Sequence, residues 1–279
     1  MKVMLITGAT GTVGGHLVER FHERYRILAQ GRDAQSLAEL RARHPGIETV
    51  CGDLHSPQLA EAVHASRVVI HAAAQRYADI AEKHCALTLD TNVQGTHRLA
   101  DLATKAEVER FVFVSAVEAG TPSSVYAMSK YLAERLVLES SEQGYDTQFH
   151  ICRLGRISVR GRRLHEGDAH PDSTRFVYTV EEAGDLIEFA LEHASNGDVL
   201  VPKMRGARMG DLAEIGGRGR GTGNPTHETV PVTGEIGTGD ETDLCFILNR
   251  HARYALAVRH LDSSHSSRSV AAMGFRAAA

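Results

Sequence analysis

Tyr126 and Lys130 stand four residues apart in Tyr126-Ala127-Met128-Ser129-Lys130. That spacing puts both side chains on one face of a helix. An ammonium beside a phenol favours the phenolate and draws its pKa toward working pH. Such a phenol takes a proton from a hydroxyl, or returns one to a ketone, while hydride moves to or from a nicotinamide ring. The pair recurs by chance in many helices. Its weight here comes from its place, on the helix that follows the fifth strand of a nucleotide-binding pattern.

That pattern begins with Thr7-Gly8-Ala9-Thr10-Gly11-Thr12-Val13-Gly14-Gly15, directly behind the apolar run Val3-Met4-Leu5-Ile6. A buried strand breaks into a glycine-rich turn and then opens a helix. Glycine lets a phosphate or another backbone come close, and the helix start offers unpaired N–H groups and the positive end of a dipole. Gly8, Thr10, Gly11, Thr12, Val13 and Gly14 are therefore candidate contacts for a pyrophosphate; a tight turn without a ligand is the other reading. The second strand ends Ala29-Gln30-Gly31-Arg32. An acid there would hold the ribose hydroxyls of NAD. Arg32 instead offers a planar fork suited to a 2′-phosphate, so NADP is expected rather than NAD, unless Arg32 is a plain surface residue. Asp33 is expected to cap the next helix. Asp53, in Gly52-Asp53-Leu54, either accepts from an adenine amino group or caps a helix.

These residues need a scaffold that brings them together. Val3–Ile6, Arg26–Gln30, Glu48–Cys51, Val68–His71 and Phe111–Ser115 read as strands. Between and after them, His16–Arg24, Asp33–Arg43, Gln58–His64, Asn92–Lys105 and Tyr126–Ser140 read as helices. Apolar strands alternating with helices give an α/β fold with a doubly wound parallel sheet, and the ligand crevice lies at the strands' carboxyl ends. Further on, Val180–His193 reads as a helix, Asp198–Val201 as a strand and Leu244–His260 as a last helix. The glycine-rich stretch Gly206–Gly239 reads as a surface excursion or a loop over the site, and 263–279 as a loosely held tail.

Composition narrows the classes. Of 279 residues, 42% are hydrophobic and 24% charged, with a formal net charge of −4, so neither nucleic acid nor an anionic membrane is an expected partner. No apolar run approaches the roughly 20 residues that span a bilayer, and Met1-Lys2 leads straight into a core strand, so a cytoplasmic protein is expected. Cys51, Cys85, Cys152 and Cys245 lack paired spacing and read as reduced thiols. The 16 histidines show no metal-ligand spacing, so no metal is expected.

Thr7-Gly8-x-x-Gly11-x-x-Gly14, Gly52-Asp53-Leu54, His71-Ala72-Ala73-Ala74, Asn92-Val93-x-Gly95-Thr96 and Tyr126-x-x-x-Lys130 occur in the order of the extended short-chain dehydrogenase/reductases, which the chain resembles over about residues 1–155. The loop Val114–Tyr126, Thr174-Arg175-Phe176, Thr179-x-Glu181-Glu182-Ala183, Val201-Pro202-Lys203-Met204 and Asp211-Leu212-Ala213 are similar to the polysaccharide-biosynthesis branch, the UDP-N-acetylglucosamine 4,6-dehydratases. The resemblance implies a Rossmann-type NADP-binding domain over 1–155, small and shortened substrate-subdomain elements over 156–262 that partly return to the sheet, and a tail over 263–279. It implies cofactor contacts at Leu54, Ala72, Ala73, Asn92, Tyr126 and Lys130, with Lys130 holding the nicotinamide ribose. It also implies a nucleotide-sugar substrate, a UDP-hexose or UDP-hexosamine, and a possible homodimer.

The departures matter as much. Where that branch has Thr-Asp-Lys after the fifth strand's serine, this chain has Ala116-Val117-Glu118. The hydroxyl that shares the proton with tyrosine is missing at Ala116, as is the acid for a leaving C6 hydroxyl at Val117. Ser115, Ser123 or Ser124 is expected to substitute for the hydroxyl, and Glu118 to remove a C5 proton. Arg153-Leu154-Gly155-Arg156 replaces Arg-x-Gly-Asn. The expected activity is epimerisation, dehydration or ketoreduction through a 4-keto sugar. The alternatives are a non-catalytic NADP-binding regulator and a reductase of a non-sugar ketone.

Overall fold

The computed structural model describes residues 1–143, 146–158, 174–202 and 204–208, together with three short strands further on. Strands β1 (Val3–Thr7), β2 (Arg26–Gly31), β3 (Glu48–Cys51), β4 (Val68–His71), β5 (Arg110–Ala116), β6 (Gln148–Leu154) and β9 (Asp198–Pro202) form one parallel sheet. β12 (Cys245–Leu248) adds an antiparallel edge, giving the order β12-β9-β6-β5-β4-β1-β2-β3. The order reverses between β1 and β4, and there the crevice opens at the carboxyl ends. β7 (Arg156–Ser158), β8 (Thr174–Thr179) and β10 (Arg205–Arg208) make a second sheet of three strands, and β11 (Val230–Pro231) pairs with β13 (Val258–Arg259).

Helices cover both faces, as the near-continuous apolar strands require. On one side α1 (Thr12–Phe21) and α8 (Val180–His193) bury Leu17, Val18 and Phe21 against Leu186, Ile187 and the core residues Met4 and Ile6 of β1. On the other, α3 (Pro57–His64), α6 (Gly95–Lys105) and α7 (Val125–Glu142) close over Leu5, Val69, Phe111 and Phe113. Each fully buried Leu or Phe contributes about 1.5–3 kcal/mol. α2 (Ala34–Arg43) is capped as expected, with Ser36 N–H donating to Asp33 Oδ2 at 2.8 Å. α8 carries a full capping box between Thr179 and Glu182. α1 and α8 approach closely: a Cβ on Gly184 would meet His16 Nε2 at 2.9 Å. The ion pairs of Arg20 with Asp185 at 2.6 Å and with Glu188 at 2.5 Å clasp the same two helices.

Three expectations are corrected. The helix expected to begin at Asn92 begins earlier, with α5 (Cys85–Leu89), and runs through a π-helical turn, Asp90–Gln94, into α6. A further short helix, α4 (Ala78–Lys83), precedes it. Leu244–His260 is not one helix, because Cys245–Leu248 and Val258–Arg259 are strands. A four-residue apolar run has too little periodicity to separate strand from helix, and here the open edge of β9 decides. The expected excursion Gly206–Gly239 opens inside β10, which pairs with β8, and further on Val230–Pro231 pairs with β13. The rest of that stretch and the tail 263–279 lie outside the described residues.

Candidate active site

The glycine-rich turn between β1 and α1 is built for close approach. Gly8 has φ +66°, and a Cβ there would sit 2.8 Å from the Ala73 backbone. A Cβ on Gly14 would run into the Gly8 carbonyl. Gly11 occupies the N-cap of α1 with no side-chain cap, so the first-turn amides of Thr12, Val13 and Gly14 face the turn uncapped. This cradle fits a dinucleotide pyrophosphate by shape and by dipole. Thr10 packs its side chain on Gly31 at the end of β2, where a Cβ would meet Thr10 Cγ2 at 3.2 Å.

Gln30 is a positioning residue that sequence reasoning missed. It is buried at the end of β2, accepts from Gly8 N–H at 3.2 Å and donates to Gly52 O at 2.6 Å. One amide thus ties the glycine turn to the end of β3. Its signal was a polar residue ending the apolar run Ile27-Leu28-Ala29. Arg32 follows on the exposed rim. Asp53 is not the cap of α3. Ser56 caps that helix, accepting from Leu59 N–H at 3.4 Å, while Asp53 accepts from His55 N–H at 2.9 Å. The exposed carboxylate of Asp53 therefore stays at the rim. Leu54 is buried instead, its side chain lying over Gly95 of α6.

Behind the crevice a chain of hydrogen bonds fixes the elements. Thr96 Oγ1–H donates to Asn92 O at 2.6 Å, so it must accept from His71 Nε2–H at 2.9 Å. His71 Nδ1 then accepts from Thr7 Oγ1–H at 2.7 Å, and Thr7 Oγ1 accepts from Ala73 N–H at 3.3 Å. Burial, with the Lys130 charge, pushes His71 down to about 3, so it stays neutral in this tautomer. Ala72 is placed by its own amide, which donates to Thr7 O at 3.3 Å.

Asn92 sits in the π-helical turn, a distortion common at functional sites. Its Oδ1 accepts from Gln75 N–H at 2.7 Å, and its Nδ2 donates to Gln75 O at 3.0 Å and to Ser129 Oγ at 2.9 Å. Ser129 Oγ–H in turn donates to Tyr126 O at 2.7 Å. Asn92, expected as a cofactor contact, here clamps the loop after β4 to the helix that carries Tyr126, with both amide donors engaged.

Tyr126 opens α7 just behind the N-cap Ser124, which accepts from Ala127 N–H at 3.2 Å. Burial pushes the Tyr126 phenol up, and Glu118 adds to the rise, while Arg76 and Arg156 oppose it. Arg76 follows β4 and Arg156 follows β6, so two guanidiniums from strand ends on either side of β5 act on the phenol. Arg156 was noted from the sequence only as the residue standing in place of the branch's asparagine, and Arg76 was not singled out. The Lys130 ammonium is buried, donates to Val114 O at 2.8 Å and lies 4.6 Å from the centre of the Phe113 ring. Burial lowers Lys130 to about 8, against the pull of Glu134 and Glu118. One of the three ammonium donors thus holds Lys130 to β5.

Ser115, expected as a substitute hydroxyl, has its Oγ–H engaged at 2.6 Å by the buried Glu134 carboxylate. Ser124 is engaged as the helix cap, leaving the exposed Ser123. Glu118 lies half-buried in the 3-10 turn Val117–Gly120, near enough for its charge to reach both Tyr126 and Lys130. Ala116 and Val117 are buried and give this part of the site an apolar floor.

A glycine cradle, a strand reversal and a Tyr–Lys helix converge on one crevice. A family model described as polysaccharide biosynthesis protein matches residues 4–232. The chain belongs to this family. An uncharacterized membrane protein of Methanocaldococcus jannaschii is 30% identical to it, over 77% of this chain and 70% of that one. A UDP-glucose 4-epimerase of Rickettsia rickettsii is 25% identical, over 76% and 69%. The X-ray structure of Pen from Bacillus thuringiensis superposes with a TM-score of 0.85 at 22% identity, covering 98% of this chain and 97% of that one. Other solved structures with this fold hold NAD. The family is one of extended short-chain dehydrogenase/reductase enzymes of the epimerase/dehydratase type, as the motifs implied. Among the described residues no helix is long and apolar enough to cross a membrane.

Proposed function

We propose that this enzyme modifies a UDP-hexose or UDP-hexosamine through a 4-keto sugar, using NADP in preference to NAD. The observation that carries the reading is Tyr126 and Lys130 on one face of α7, at the strand reversal beside the Gly8–Gly14 cradle. The dinucleotide, when bound, supplies the hydride acceptor or donor and a positively charged ring in its oxidised form.

Tyr126 takes the proton of the sugar hydroxyl as it becomes a ketone, and returns one on reduction. Arg76 and Arg156 favour the phenolate it needs and offer donors to the substrate's diphosphate. Lys130 leaves Val114 O to bond a ribose hydroxyl, which brings its charge toward the phenol. Glu118 removes the C5 proton once a 4-ketone has acidified it. The buried Ala116 and Val117 supply neither the shared hydroxyl nor the C6 acid, which favours epimerisation or ketoreduction over dehydration. Arg32, on the rim beyond β2, receives the 2′-phosphate.

The test is incubation with UDP-glucose and UDP-N-acetylglucosamine in the presence of each dinucleotide, read by mass spectrometry and NMR. Unchanged mass with new ring couplings shows epimerisation, loss of one water shows dehydration, and gain of two hydrogens shows reduction. No change in any arm overturns the substrate reading. The engagement of Ser115 favours one second reading, a non-catalytic dinucleotide-binding regulator. Under it, Tyr126→Phe keeps both dinucleotide affinity and biological effect. A non-sugar ketone as substrate would instead appear as NADPH oxidation across a ketone panel.

A further inference from the structure

α7 carries a third polar residue in step with the catalytic pair: Tyr126, Lys130 and Glu134 follow one another at four-residue spacing. Glu134 is 0% exposed. Its Oε1 accepts from Ser115 Oγ–H at 2.6 Å and Arg153 Nε–H at 2.9 Å, and its Oε2 accepts from Arg153 Nη2–H at 2.6 Å. Ser115 on β5 and Arg153 on β6 are register partners, so one carboxylate bolts the helix to two strands at a single rung. Buried ion pairs are poor sources of net stability, and an apolar replacement often does as well. A pair placed one helical turn from the catalytic lysine has a different use.

We propose that Glu134 is a positioning residue for the reaction, acting through Lys130: held by Ser115 and Arg153, its carboxylate sets the charge of the ammonium beside the crevice and the line of the catalytic face of α7. The titratable groups that act on Lys130 or feel its charge are Glu134 from α7, Glu118 from the 3-10 turn and His71 from β4, with Arg153 of β6 behind Glu134. His71 stays neutral. Glu118 is half-exposed, so water screens it, whereas the field of Glu134 passes through protein. Burial draws Lys130 toward the neutral amine, and the Glu134 carboxylate opposes it more than Glu118 does.

The inference rests on Lys130 belonging to the catalytic machinery, but its test needs no substrate, so its failure is distinct from failure of the nucleotide-sugar reading. The chain has five lysines, Lys2, Lys83, Lys105, Lys130 and Lys203. In protein labelled with ¹³C-lysine each side chain gives a titratable NMR signal, and Lys130→Arg assigns the fourth. Wild-type Lys130 is expected to titrate near 8. Glu134→Gln is expected to lower that midpoint by about one pH unit, Glu134→Asp to restore most of it, and Arg153→Met, which unmasks the carboxylate, to raise it. A merely structural carboxylate would change the melting temperature and leave the midpoint in place. An unchanged midpoint in folded Glu134→Gln overturns the proposal. Should that variant fail to fold, a midpoint that stays or falls in Arg153→Met overturns it instead.

Discussion

Asn92 holds Ser129: Nδ2 donates to Oγ at 2.9 Å, and Ser129 passes the connection on to the carbonyl of Tyr126. The loop after β4, the π-helical turn and the first turn of α7 are therefore one hydrogen-bonded unit. Asn92→Leu is expected to strand the part-buried backbone groups of Gln75 and the buried hydroxyl of Ser129, costing about 2 kcal/mol. Thermal melting would show the loss, and turnover should fall with it. Asn92→Asp keeps the shape but removes the two donors, and should fall between.

Tyr126→Phe tests the chemistry without disturbing the cradle. Turnover is expected to drop by roughly 10²–10⁴-fold, the range for loss of a general acid–base. Dinucleotide affinity, measured by calorimetry, should change by less than about threefold, because the pyrophosphate and adenosine contacts lie elsewhere.

Arg32→Ala tests cofactor choice. Loss of a charge-assisted bond to a 2′-phosphate is worth about 1.5–3 kcal/mol, so the Kd for NADP should rise by about tenfold or more while that for NAD stays level. Equal affinities for NADP and NAD in the wild type would remove Arg32 from the site.

Acid should erode stability through two buried histidines. Burial holds His71 at about 3 and His150 at about 4, both below the ordinary 6.5. Below pH 6.5 the unfolded chain takes up protons that the folded one refuses. The stability they confer is therefore full above that pH and lost as pH falls toward 4 and then 3. The slope is up to about 1.4 kcal/mol per pH unit for each group. His150 is neutral by its bonds as well: Arg110 Nη1–H donates to Nε2 at 3.0 Å, and Nδ1–H donates to Ser195 O at 3.1 Å. Urea melts at pH 7 and pH 5 should show a smaller difference for His150→Gln than for the wild type. An equal difference would remove His150 from the cause.

The sheet was legible because β1, β2, β4 and β5 carry apolar runs and the helices between them carry apolar stripes. The cradle was legible because only glycine tolerates φ +66° and a backbone 2.8 Å from its Cβ position. What sequence could not show was where hydroxyls and amides spend their hydrogen bonds. Ser115 looked available because it ends a strand at the crevice, yet Glu134 lies 19 residues on and claims it. Asp53 could have been an adenine contact or a cap, and the structure gives the cap to Ser56, which accepts from Leu59 N–H. Gln30, Arg76, Glu134 and Arg156 act across elements that only the fold brings together. The edge strand Cys245–Leu248 depends on β9 having a free side, which is a fact about topology.

The clasp between α1 and α8 has a consequence for biosynthesis. Leu17, Val18 and Phe21 are sealed by residues that leave the ribosome more than 150 positions later. Until then the nascent first half displays an oily flank with no cover, and the acidic partners Asp185 and Glu188 that will lock Arg20 do not yet exist as a surface. Completion of the nucleotide-binding half thus waits on translation of the far half, and a chain interrupted before residue 180 would be a substrate for chaperones and proteases rather than a working domain.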